Sequence, residues 1–192
     1  MKSDAVREAS ERLAELEKKR EIAIEASRSI TRKTKNMIHA IHVGEDHQQI
    51  SSALRKEVDD VTGRLKDEPS VLCSAVLQDA LGEYAEAFIF ASVVEENDIP
   101  SFGSMNISPQ AWAMGLADSI GEMRRMILTY LIDGDLQRAR SLFARMEEIG
   151  DDVLGFDVPD AIVPLRRKQD VARGIIEKTR SDITNAVVMD KR

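Results

Sequence analysis

The chain has 192 residues, 43% of them hydrophobic, and a formal net charge of -7, enough apolar material for one sizeable core and no compositional break that would divide it. The negative total excludes a nucleic-acid binder that works through overall positive potential, so any such site has to be local. With 5 prolines, 10 glycines and 4% aromatic residues, the composition favours an all-α fold of six or seven helices in a single domain, 1–192, over a sheet.

The N-terminal stretch MKSDAVREASERLAELEKKR is charged throughout and lacks the apolar core of a secretory leader. No later stretch reaches the roughly 18 apolar residues of a membrane span, so a cytoplasmic protein is expected. From about Asp4 to Val43, apolar residues recur at helical spacing through Val6, Leu13, Leu16, Ala23, Ile30, Met37 and Ile41. They predict one long amphipathic helix that ends near Gly44. Such a helix is about 60 Å long, more than a domain of this size needs, so part of it is expected to pack on another subunit or helix layer. Along it Arg28, Arg32, Lys35, His39 and His42 follow steps of four and three and line one face. That stripe can hold phosphates; a solvated face, or one that pairs with the many acids of the chain, is the plainer reading of the pattern alone. The two histidines lack a third ligand nearby and are weak as a metal pair.

A more polar helix is predicted from Asp46 to Lys66, followed by a break at Asp67-Glu68-Pro69 with Ser70 as the next cap. The third helix, Val71 to Val94, is apolar on nearly all faces and reads as buried on most sides. The single cysteine, Cys73, lies in its apolar run and is expected to be a small buried thiol. Asp79, Glu83 and Glu86 stand at i, i+4 and i+7 and project from one face of this helix. A long loop over 97–110 leads to a helix start at Ser108-Pro109. The fourth helix runs to about Ile132 and carries Asp118 and Glu122 one turn apart. After the turn Asp133-Gly134-Asp135, a fifth helix is predicted to Ile149, then a looser segment, then a last helix from Leu165 to Val188. In that last helix Arg166, Asp170, Arg173, Glu177 and Arg180 alternate in sign, as i, i+4 salt links do. Met114, Met123, Met126 and Met146 stand at core spacings.

Like charges one turn apart destabilise a helix, and far more so when withdrawn from water without a partner. Two antiparallel neighbouring helices, each presenting a carboxylate pair inward, assemble an all-oxygen site suited to Mg²⁺ or Mn²⁺. Such an ion supports in-line hydrolysis of a phosphodiester. The alternative is that Arg124, Arg125 or basic groups from elsewhere simply pair with the acids. No glycine-rich phosphate loop, nucleophile elbow or CxxC pair is present, which argues against hydrolases built on those motifs.

Four segments in order, ASRSITRKTKNMIHAIH (26–42), LGEYAEAF (81–88), MGLADSIGEMRRM (114–126) and GDLQRARSLF (134–143), resemble motifs of the translin and translin-associated factor X family. The resemblance implies a seven-helix protomer in a hollow, eight-subunit homo-oligomer. It further implies a Mg²⁺-dependent endoribonuclease acting on single-stranded RNA, with Glu83, Glu86, Asp118 and Glu122 at the matching positions as its acidic site. Arg28, Arg32 and Lys35 become the groups that hold the RNA backbone, and Asp79, outside the motif, a supporting residue. Translin itself mainly binds single-stranded RNA and DNA, so a non-catalytic binder is the alternative, and a purely structural helical oligomer the third reading. The chain is short at both ends and compact in its loops relative to the eukaryotic pattern, which points to a prokaryotic, archaeal homolog that assembles alone.

Overall fold

Ser3 accepts a hydrogen bond from the Val6 amide and opens the first helix, α1 (Asp4–Val43); Gly44 closes it at φ 73°, in the left-handed region that favours glycine. The structure is a computed structural model describing residues 3–190, so residues 1, 2, 191 and 192 of the predicted 1–192 domain lie outside it. Six more helices follow among the described residues: α2 (Gln48–Leu65), α3 (Pro69–Leu72), α4 (Ala75–Val94), α5 (Pro109–Ile132), α6 (Leu136–Gly155) and α7 (Arg166–Asp190). The all-α expectation of six or seven helices holds. No described helix is long and apolar enough to cross a membrane.

The third predicted helix is two. Pro69 starts the one-turn α3, and the chain restarts at Ser74, which is extended at φ -64° and ψ 141°. Ser70 therefore lies within α3 and does not cap it, and Cys73 sits at the joint, exposed. The expectation of a buried thiol fails because the joint turns its side chain away from the core.

α4 lies between α1 and α5 and packs on both. Its apolar sides bury Leu77, Leu81, Tyr84, Phe88, Ile89 and Phe90, which is why the sequence needs so few polar residues there. The register corrects a second expectation. Ser108 donates to Gln78 at the start of both helices, Gly115 lies against Gly82 and Ala85, and Asp118 and Glu122 act on Glu86 one turn further along. Residue numbers rise together, so α4 and α5 run parallel, not antiparallel. The connection over 95–108 is long enough to carry the chain back to its starting end. A short turn does not reach that far: α5 and α6, joined by Asp133-Gly134-Asp135, run antiparallel, with Arg138 stacked on Tyr130.

α6 runs past Ile149 to Gly155, and Gly150, inside it, leaves room for Ile176 of α7. The alternating charges of α7 also differ in partner: Arg173 meets Asp170 at i-3, while Arg180 reaches across to Glu147 of α6. Met123, Met126 and Met146 are buried as their spacing implied. The N-terminal half of α1 extends beyond this core. Its first buried residue is Ala23, Val6 and Leu13 are exposed, and Arg12 and Lys19 tie it to Glu68 at 2.6 and 3.7 Å.

Candidate functional site

The close approach of α4 and α5 decides where the acids meet. A Cβ at Gly115 would stand 2.5 Å from the Gly82 carbonyl and 2.6 Å from the Ala85 Cβ, so only glycine permits this separation. One turn along, Glu83 and Glu86 of α4 and Asp118 and Glu122 of α5 line a single cavity of about 430 Å³. Its remaining wall is Thr34, Lys35, Ile38 and His39 of α1, with Arg125. The four carboxylates singled out from sequence are brought together.

Their surroundings differ. Asp118 accepts two hydrogen bonds from the Lys168 ammonium, at 2.5 and 2.6 Å. Glu122 is bound at 2.5 Å by His42 Nε2 and lies 3.6 Å from Arg125; the His42 hydrogen bond, ahead of burial, holds its carboxyl below the usual range. Glu83 Oε2 is buried without a hydrogen-bond partner among the described residues. Burial, and then the neighbouring Asp118, Glu122 and Glu83, push the Glu86 carboxyl up to about 8.

The donor set suits a hard divalent cation in chemistry and charge: carboxylate oxygens, one of them orphaned, and an acid held protonated by burial and by its acidic neighbours. Among the described residues no group of three or more His, Cys, Asp or Glu side chains is disposed around a point where an ion would sit. Asp118 and Glu122 face Lys168 and His42 instead. The alternative weighed from sequence is thus half realised, with Arg125 on Glu122 but Arg124 turned to Asp182 at 2.8 Å.

The basic stripe of α1 divides. Lys35 and His39 reach the acidic cavity, and His42 is buried on Glu122 and against Phe90. Arg28 and Arg32 are exposed along a separate groove of about 760 Å³ between α1 and α2, with Glu21, Glu25, Glu57 and Asp60. Asp79 does not join the four acids. It lines an adjoining cavity that shares Glu83 and Asp118 with the first.

Lys168 was not found from sequence. Its partner lies 50 positions away, and nothing local in α7 marks it. The glycines beside the acids, Gly82 before Glu83 and Gly115 three before Asp118, were a readable signal: small residues in apolar helices mark a close helix approach.

The fold and cavity define a class: a bundle, of seven helices among the described residues, whose two central, parallel helices bring paired carboxylates against a basic helix. The chain belongs to the Translin family, whose pattern matches residues 18–181. It is 31% identical over 183 residues to an uncharacterized protein of Methanocaldococcus jannaschii, covering 91% of this chain and 79% of that one. Among solved structures it is similar to AfC3PO in complex with duplex RNA, at 31% identity and a TM-score of 0.88, over 96% of this chain and 97% of that one. A second crystal structure of AfC3PO matches at the same identity and TM-score, over 98% of this chain and 100% of that one. An apo-NeC3PO structure, 23% identical over 97% and 98% with a TM-score of 0.84, shares the fold.

Proposed function

We propose that this chain is an Mg²⁺- or Mn²⁺-dependent endoribonuclease of the cytoplasm that cuts single-stranded RNA inside a homo-oligomeric, eight-subunit shell. The observation that carries the proposal is the uncompensated pair on α4: Glu83 with a buried, unpartnered oxygen and Glu86 at about 8. Glu83, Glu86, Asp118 and Glu122 hold the cation. When bound, it supplies the Lewis-acid charge that in-line phosphodiester hydrolysis requires. Lys35 and His39, at the rim of the same cavity, draw the phosphate toward the acids. Arg28 and Arg32 hold the RNA backbone further along α1. The structure of AfC3PO with duplex RNA supports RNA as the ligand, and the exposed Val6 and Leu13 on the overhanging half of α1 support contact with another subunit.

The second reading, a non-catalytic binder of single-stranded RNA or DNA, is favoured by one observation: Asp118 and Glu122 already hold Lys168 and His42. End-labelled single-stranded RNA, and the same strand annealed to its complement, incubated with Mg²⁺ and with EDTA, separates the two. A nuclease yields fragments from the single strand only with the metal, and Glu83→Gln abolishes them while the oligomer elutes unchanged. Intact RNA that is shifted in both buffers makes the protein a binder.

A further inference from the structure

Next to the acidic cavity lies a second one of about 700 Å³, and the two share Glu83 and Asp118 as a common wall. Its size is that of a small-molecule site, a scale of about 300 to 1,000 Å³. Its apolar walls come from two parts of the chain: Met114 of α5, and Ile162, Val163 and Pro164 from the segment before α7. Ile162 is 59% exposed although it is large and apolar, whereas Val163 beside it is 5% exposed. An apolar side chain held open over a cavity is a surface on which a flat ring can lie.

The polar groups of this cavity are mostly spent. Gln78 donates to the Leu72 carbonyl at 3.0 Å and accepts from Ser108. Ser108 in turn caps α5 through the Ala111 amide, and Lys168 is bound to Asp118. Apart from Glu83 on the wall shared with the acidic cavity and the Cys73 thiol, the side chains left to face a ligand are the exposed Asp79 and the exposed Gln110. A carboxylate only accepts hydrogen bonds. The edge that suits it is one presenting two adjacent donors, which among the four RNA bases is the N1–H and exocyclic amine of guanine. Gln110 can donate to the neighbouring O6.

We infer that this second cavity is a nucleobase subsite that seats the base beside the scissile phosphate, with Asp79 selecting guanine and Ile162 supplying the stacking face. The inference rests on the reading above that RNA enters the acidic cavity, because only then does the shared wall of Glu83 and Asp118 put a base next to the reacting phosphate. Unstacked bases of single strands are read in this way, by stacking and by hydrogen bonds to the Watson–Crick edge.

The full-length oligomer is titrated in Mg²⁺ with GMP, IMP and UMP, which have no phosphodiester to cleave, and binding is followed by the methyl resonances of Met114 and Ile162. IMP differs from GMP only in lacking the exocyclic amine. GMP is expected to bind roughly tenfold tighter than IMP or UMP, the scale of a good bidentate contact. Asp79→Asn brings GMP to the level of UMP, and Ile162→Ala weakens all three while keeping their order. Equal affinities, an absence of binding, or a GMP preference that survives Asp79→Asn overturns the inference. Because the test needs no cleavage, equal affinities alongside metal-dependent cutting leave the nuclease reading standing, while a GMP preference without cutting removes only the nuclease.

Discussion

The two carboxylate pairs of the cavity, so alike in sequence, stand in opposite electrostatic states. On α5 each acid has a counter-charge, Lys168 on Asp118 and His42 with Arg125 on Glu122. On α4 neither Glu83 nor Glu86 has one, and Glu86 stays protonated up to about 8. Both pairs come from apolar helices, three and four residues apart and so each within about one turn, and the difference lies in which side chains reach them. Lys168 of α7 and His42 of α1 end on the acids of α5, whereas among the described residues no basic side chain ends on Glu83 or Glu86. The lesson is that α4 carries negative charge that the chain alone does not neutralise, and that α5 contributes acids whose partners an incoming cation has to displace.

Neutralising the two pairs therefore gives opposite structural signatures on top of a shared loss of activity. With RNA and Mg²⁺, Glu86→Gln and Asp118→Asn each lower cleavage by roughly 100-fold or more, the upper scale for disturbing a metal site. In EDTA at pH 8, Glu86→Gln raises the melting temperature, while Asp118→Asn lowers it by leaving Lys168 without its partner. Two variants with the same sign of thermal shift would erase the contrast between α4 and α5.

The next effect concerns the spacing that brings the pairs together. Gly115→Ala places a methyl 2.5 Å from the Gly82 carbonyl and is expected to destabilise the fold by about 1–3 kcal/mol, as overpacking does. Chemical denaturation measures that loss. Cleavage falls with it, because parted helices no longer present the four acids to one cavity.

A separate effect, spread over several pH units, appears as a pH dependence. Glu86 is raised from its ordinary value of 4.5 to about 8, so between those values the folded chain keeps a proton that the unfolded chain has released. Stability of the metal-free protein consequently falls as pH rises through this window, on the order of 1 kcal/mol per pH unit, and levels off above it. Melting curves in EDTA from pH 5 to pH 9 record the slope, and Glu86→Gln flattens it. Smallest is the contribution of the groove outside the cavity. Arg28→Gln or Arg32→Gln each weakens RNA binding modestly and lowers the salt slope by about one per lost phosphate contact, whereas Lys35→Gln also slows cleavage.

The boundaries marked by local signals were legible. α1 starts at Asp4 and stops at Gly44, and Ser108-Pro109 opens α5, where the residues alone put them. The four acids were also legible, since motif and face agreed. What sequence could not supply was anything set by distant packing. The parallel register of α4 and α5 depends on a loop that looks the same whichever way it returns the chain. Lys168 depends on a partner 50 positions away. Cys73 was misplaced because its apolar neighbours Val71 and Leu77 point inward from two different helices, and the joint between them leaves no mark except Ser74. The stripe on α1 was read as one unit, yet a helix of 40 residues passes several neighbours, and its arginines and its histidines meet different ones.

Whether a divalent cation completes the cavity can be measured without any RNA. Isothermal titration of the oligomer with Mn²⁺ at pH 8, for the unaltered chain and for the Glu83→Gln, Glu86→Gln double variant, reports directly on the uncompensated acids. The expected result is saturable binding to the unaltered chain, accompanied by proton release from Glu86, and none to the double variant. Equal binding by both proteins, or none by either, would contradict a cation site built on α4.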